Sequence, residues 1–271
     1  MRARTATAAA LTAAAALITA PAASAAGSDS WTTYYRNASP DLPTGYYAEG
    51  VVDGLGDEAV PLVCNVDSGL PKPPTDDPDE VVLFEAGRWL LRDLGGESTT
   101  TFGRAGDTPL CMDVGGDFQD ELVIKRGNRY YVADSYAAGG GRVTSFAFGS
   151  AGDTPLVGDW DGDGVETVAV KRGNRYYFAS DNVDGGGDVV VSSFGSAGDT
   201  PIAGFFLVTG EDDTASIGVR RGNRFYVSDD APGTPVLTAA HSFSFGRATD
   251  VALAGQMALE TGQQVVVARA S

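Results

Sequence analysis

The feature that most constrains this chain is its repetition. FGRAGDTPL from Phe102, FGSAGDTPL from Phe148 and FGSAGDTPI from Phe194 recur at an interval of about 46 residues. Each copy is followed by KRGNRYY or RRGNRFY, starting at Lys125, Lys171 and Arg220. A weaker copy runs from Gly56 to Arg88-Trp89, interrupted by an insertion at Ser68 to Asp77. A last copy starts at Phe245 and reaches Gln264-Val265-Val266-Val267, half of the unit. Self-similarity at this period means that one supersecondary unit is stacked several times, as in solenoids, propellers and arrays.

The unit reads as four short strands. In the third copy, Pro155 to Gly158 is apolar and Thr167 to Lys171 is β-branched and alternating. Gly173-Asn174 is a two-residue hairpin signal, with both central positions tolerant of positive φ. Arg175 to Ala179 returns, and Val189 to Phe194 closes the unit after a Gly-rich loop. Four strands in about 46 residues is the length of a propeller blade. The half-unit at the end lacks two strands, and Trp31 to Tyr35 and Tyr46 to Val52 resemble the missing third and fourth. The expectation is therefore an all-β propeller of five four-stranded blades in one domain, residues 26–271. Its repeats run 56–101, 102–147, 148–193, 194–244, and 245–271 completed by 31–55.

The first residues point to export. Arg2 and Arg4 precede an apolar stretch from Ala8 to Ala20, followed by small residues from Ala22 to Ala26. That pattern predicts a signal peptide over residues 1–25 and a secreted, extracellular product. No other run is long and apolar enough to span a bilayer, so no membrane insertion is expected. The formal net charge is −17, and cleavage removes two arginines and no acid. Sequence-independent affinity for nucleic acid comes from Lys and Arg, which argues against that partner class. A monomer with a glycan or protein ligand is the expectation. Cys64 and Cys111 are the two cysteines. In an oxidising compartment an even pair reads as a disulfide, the alternative being two buried thiols.

The sharpest local motif is Asp159-Trp160-Asp161-Gly162-Asp163-Gly164-Val165-Glu166-Thr167. Carboxylates at alternate positions converge where glycines let the loop turn tightly, and hard oxygen donors in such a cage suit Ca2+. It is not an EF-hand, because a strand rather than a helix follows. Phe148-Gly149, a strand, and then DWDGDG resemble the FG-GAP or VCBS repeat family, the integrin-α-type propellers, here of a secreted bacterial type. That resemblance covers Gly56 to Val267 loosely and Phe102 to Tyr226 well. It implies one structural Ca2+ held by Asp159, Asp161, Asp163 and the carbonyl of Val165. The family often has Asp where this chain has Thr167, so the last ligand is Thr167, Glu166 or water. Decayed versions of the loop offer Asn65 and Asp67 in the first repeat, and Asp113, Asp117 and Asp120 in the second.

Two further patterns bear on function. The RGN hairpins collect basic residues, so Arg126, Arg129, Arg172, Arg175, Arg221 and Arg224 are candidates for facing an acidic ligand. Each repeat also carries an aspartate in its GD connection (Asp57, Asp107, Asp153, Asp199, Asp250), so Arg–Asp pairs that merely tie the structure together are the competing reading. Tyr130, Tyr131, Tyr176, Tyr177, Phe225 and Tyr226 either stack a sugar or pack between blades. The function expected is an extracellular binding or scaffold module, with no catalytic residues assigned. The rival is a glycoside hydrolase using paired carboxylates at the propeller centre, from acids such as Asp113, Asp159 or Glu211. His241, the single histidine, has no nucleophile motif beside it.

Overall fold

Alternation of apolar and polar residues between glycine turns produces strands, and strands are what the chain forms. The computed structural model describes residues 30–37, 47–53, 55, 58–66, 79–93, 96–206, 214–255 and 264–270. In chain order, β1 (Ser30–Asn37) and β2 (Tyr47–Asp53) come first. The first meander is β3 (Val60–Cys64), β4 (Glu80–Glu85), β5 (Arg88–Asp93) and β6 (Gly96–Thr101). The second is β7 (Thr108–Met112), β8 (Glu121–Arg126), β9 (Arg129–Ala133) and β10 (Val143–Ala147). The third is β11 (Thr154–Gly158), β12 (Thr167–Arg172), β13 (Arg175–Phe178) and β14 (Val190–Ser193). The fourth is β15 (Thr200–Gly204), β16 (Ser216–Arg221), β17 (Arg224–Val227) and β18 (His241–Ser244). β19 (Val251–Gly255) and β20 (Gln264–Ala270) end the chain. The proposed signal peptide lies outside the described residues.

The arrangement is β-propeller-like. Each meander is a four-stranded antiparallel sheet in simple sequential order. Four blades of consecutive chain are present rather than five; the remaining strands come from both chain ends and pair in the order β19-β20-β1-β2. The first strands of successive blades lie side by side, β3 by β7, β7 by β11 and β11 by β15.

The four hairpins between second and third strands are equivalent in position but not in turn type. In the third blade Gly173 has φ +64° and Asn174 does not enter the left-handed region, the pattern of a type II′ turn rather than one with two positive φ values. The first blade does have two, at Ala86 (φ +50°) and Gly87 (φ +93°).

The residue after each hairpin arginine is the anchor of its blade. Trp89, Tyr130, Tyr176 and Phe225 occupy the same place in consecutive repeats and are fully buried. The phenylalanines that open the repeats, Phe102, Phe148, Phe194 and Phe245, are buried too. The rings of Phe102 and Phe148 pass so close to Gly140 and Gly186 that a Cβ at either glycine would sit 2.9 Å or less from the ring. The buried repeated aromatics therefore pack in the interior, Tyr130 stacking on Phe146 and Phe225 on Phe243 within their own sheets, and the apolar area they remove from water stabilises the blades.

Candidate functional site

The DWDGDG loop joins β11 to β12 and is organised from its first residue. Asp159 is buried, and its carboxylate accepts hydrogen bonds from Gly162 N (2.7 Å, to Oδ1) and Gly164 N (2.9 Å, to Oδ2). Asp163 Oδ1 accepts from Val165 N at 2.9 Å. Gly162 (φ +78°) and Gly164 (φ +87°) supply the left-handed backbone that makes the turn. Trp160 pins the loop to the blade by donating Nε1–H to the Thr167 carbonyl (2.9 Å) and packing edge-on against Phe178. The outcome is that Asp159, Asp161 and Asp163 each present a carboxylate oxygen, all within 4.8 Å of one another, with the last two exposed. Burial pushes the Asp159 carboxyl above the usual range, and the charges of Asp163 and Asp161 add to that. The donor set is all hard oxygen and self-repelling, which fits a Ca2+ ion.

Two residues expected in that loop are turned elsewhere. Glu166 is buried with its Oε2 accepting from the Asp113 amide of the second blade at 3.0 Å. Its own N–H donates to the Asp113 carbonyl at 2.8 Å. The Thr167 hydroxyl donates to the Ala179 carbonyl at 2.8 Å. Neither side chain joins the Asp159 triad: Glu166, just before β12, and Thr167, its first residue, are each held by a partner elsewhere.

The second blade has converted the same loop to self-capping. Asp113 Oδ1 accepts from Gly116 N (2.6 Å), Gly115 N (3.1 Å) and Asp117 N (3.2 Å), while Oδ2 accepts from Phe118 N (2.7 Å). Three amides saturate Oδ1, Gly115 offers no second carboxylate, and Asp117 is exposed. Asp120, expected to belong to this loop, instead accepts the Asn65 amide of the first blade on Oδ2 (2.8 Å). Asn65 in turn donates its side-chain amide to the Phe118 carbonyl (2.6 Å). Asp67 lies outside the described residues.

These bonds show a device that motif reading missed. The residue just before the second strand of a blade reaches back to the first acidic-turn residue of the preceding blade: Asp120 to Asn65, and Glu166 to Asp113. At the next junction Ala215 keeps the backbone bond to Asp159 O (2.6 Å) but has no carboxylate to offer. The sequence signal was available in the equivalent positions of Asp120, Glu166 and Ala215 in successive repeats. The disulfide Cys64–Cys111 (S–S 2.01 Å, Cα–Cα 5.8 Å) joins the same two blades immediately beside the Asn65–Asp120 contact.

On the opposite face the hairpin arginines divide into two groups. Arg126, Arg172 and Arg221 make two-pronged ion pairs with Asp107, Asp153 and Asp199, each with a closest contact of 2.6 Å. The same guanidinium groups cover Tyr131, Tyr177 and Tyr226 at 5.2–5.6 Å from the ring centres. The Arg172 and Arg221 hydrogen bonds hold the Asp153 and Asp199 carboxyls below the usual carboxylate range. Lys125, Lys171 and Arg220 clamp the following blade by donating to the carbonyls of Ala151, Ala197 and Arg247 at 3.0, 2.9 and 2.7 Å. Arg129, Arg175 and Arg224 are in none of these pairs; Arg129 bonds Ser145 and lies 3.8 Å from Asp184, and Arg224 bonds Ser242 and lies over the Tyr226 ring.

No family model matches this chain, and no curated protein matches it. Among solved structures it is similar to a chain of the Photorhabdus luminescens Tc holotoxin pore, at 11% identity and a TM-score of 0.42. The likeness covers 89% of this chain and 13% of that one. Similarity at that level carries nothing about activity.

Proposed function

We propose that this chain is an extracellular binding or scaffold module, a propeller of FG-GAP or VCBS type whose third repeat holds one structural Ca2+. The observation that carries the reading is the convergence of Asp159, Asp161 and Asp163 on a loop already ordered by its own amides. In this reading the composite sheet is a fifth blade that closes the ring. Its support is the cyclic order of the first strands: β15 also lies by β19, and β19 by β3. Closure of this kind leaves no open sheet edge at the two ends of the array.

The hydrolase alternative is less favoured by the acids themselves. Asp113 and Asp159 are each 2% exposed, with their oxygens engaged by backbone amides, so no sugar reaches them; Glu211 lies outside the described residues. For a ligand, Arg129, Arg175 and Arg224 are the hairpin arginines outside the aspartate pairs, since Arg126, Arg172 and Arg221 are committed to aspartates. An acidic glycan or an acidic protein surface is the chemistry they fit.

The deciding experiment is thermal unfolding of the exported chain in EDTA and in millimolar Ca2+. The midpoint rises with Ca2+ and the rise shrinks in Asp161→Ala; equal midpoints in EDTA and Ca2+ sink the metal reading. For the ligand, retention on a sulfated-glycan column at low salt should weaken in the Arg129/Arg175/Arg224 triple alanine variant. A wild-type chain that is not retained at all removes the basic face as a docking surface.

A further inference from the structure

Among the described residues, three aspartates are followed by glycine. Asp161–Gly162 and Asp163–Gly164 lie in the DWDGDG turn, and Asp184–Gly185 lies in the Gly-rich loop before β14. All three aspartates are exposed. In such a pair the glycine nitrogen, with no Cβ beside it to hinder approach, can close on the aspartate Cγ. The amide proton leaves, the N–Cγ bond forms, and a carboxyl oxygen departs as water. The cyclic imide then takes up water again. Opening at Cγ restores aspartate; opening at the main-chain carbonyl leaves the chain running through Cγ, as isoaspartate of unchanged mass. Glycine amides in this fold are not free to react in this way. Gly162 N donates to Asp159 Oδ1 (2.7 Å) and Gly164 N donates to Asp159 Oδ2 (2.9 Å). Gly185 N donates instead to the Ala147 carbonyl of the preceding blade (2.8 Å). A hydrogen bond given by the neutral N–H opposes loss of its proton, and so does a carboxylate beside it. Asp159 is 2% exposed, so water competes little for either bond.

We propose that Asp161 and Asp163 are sites of spontaneous isoaspartate formation, and that Asp159 restrains the reaction by holding both glycine amides. Asp159 is a positioning residue here: it grips the attacking nitrogens and does not touch the carbon under attack. Asp163 is also directed away from its own glycine, because its Oδ1 accepts the Val165 amide at 2.9 Å. The modification has a structural consequence. Isoaspartate adds one atom to the main chain and shortens the side chain by one carbon. The carboxylate oxygens of Asp159, Asp161 and Asp163, now all within 4.8 Å of one another, would lose that arrangement. The inference concerns the loop's covalent chemistry and does not rest on the Ca2+ reading.

The test is to age the exported chain in EDTA at neutral pH and count isoaspartate at each position by peptide mapping. Folded wild type should accumulate it at Asp161 and Asp163 about tenfold more slowly than wild type held unfolded in urea, the factor that one unit of amide acidity carries. Asp159→Ala should restore most of that rate in the folded chain at both positions. Asp184 is the internal control: its glycine is held by Ala147, so its rate stays at the wild-type value. Unchanged rates at Asp161 and Asp163 in Asp159→Ala overturn the inference. A rise that Asp184 shares reports unfolding of the variant, and wild type then decides: slow formation in the folded chain sustains the inference, and equal rates in buffer and urea overturn it. Because every arm is run in EDTA, failure here leaves the Ca2+ reading standing, and failure of that reading leaves these rates unchanged.

Discussion

One aspartate position does two jobs in neighbouring repeats, and the difference lies in the next four residues of each turn. Asp159 and Asp113 both cap their turns, but Asp159 keeps Asp161 and Asp163 beside it, whereas Asp113 has Gly115 two residues on and gathers four amides itself. Asp113→Ala should therefore unfold the second-blade turn whether or not Ca2+ is present, with a loss of about 1–3 kcal/mol in denaturant titration. The GD aspartates act through a different partner. Asp153 caps its connection by accepting Ser150 N (2.7 Å) and pairs with Arg172. Its carboxyl, like that of Asp199, sits below the usual range because of the arginine bonds. A lowered carboxyl contributes stability above its unfolded value of about 4, and that contribution is lost as pH falls through the lower folded value. Stability measured between pH 5 and pH 2 should fall less steeply in an Asp153→Asn, Asp199→Asn double variant than in wild type. A parallel pair of curves would show that other carboxyls control the acid limb.

At the scale of the element, the hairpins and connections are where single glycines decide the outcome. Gly87 has φ +93°, and a Cβ there would lie 2.6 Å from the Gly103 carbonyl oxygen, a backbone atom that cannot rotate away. Gly87→Ala should cost at least about 1–2 kcal/mol from backbone handedness alone, and more from the collision. Gly127, with φ +64° and open space around its Cβ direction, should cost only the handedness when changed to alanine. Comparing the two in urea separates strain from packing; equal losses would mean that the close approach at Gly87 relaxes freely. The hairpins were legible in the sequence because RGN repeats verbatim and a two-residue glycine turn is a local matter. Their turn type was not, because Asn174 need not accompany Gly173 into positive φ when the glycine alone satisfies the strand twist.

At the scale of the molecule, covalent and polar ties cluster at the junction of the first two blades. The disulfide closes a loop with a sequence separation of 47 residues, worth roughly 4 kcal/mol in the chain-entropy model. Replacing Cys64 and Cys111 by serine should lower the thermal midpoint by about 8–16 °C at the usual scaling for this chain length. A shift of a degree or less would mean that the Asn65–Asp120 contact and the apolar core already fix the junction. Lys125 and Lys171 tie later blades together without a covalent bond: their ammonium groups reach the next blade's carbonyls, and burial lowers their pKa.

By itself the sequence determined what is local and repeated: strands from alternation, turns from glycine, blade length from the interval between Phe102, Phe148 and Phe194, and an acidic turn at Asp159. It also narrowed Cys64 and Cys111 to one another, since they are the only two cysteines. Tertiary structure alone decided where the charged side chains point. Glu166 looks like a loop residue because it is adjacent to Val165, yet its side chain and its N–H both bond the Asp113 backbone in another blade. Asp120 and Asn65 are 55 residues apart and Glu166 and Asp113 are 53 apart, and only the stacking of blades brings each pair into hydrogen-bond contact. Arg126 and Arg129 read alike in sequence, but one is spent on Asp107 and the other is not. The reason is common to all three cases: a short-range pattern sets backbone conformation, whereas the energy of a charge depends on everything that surrounds it, and most of that comes from elsewhere in the chain.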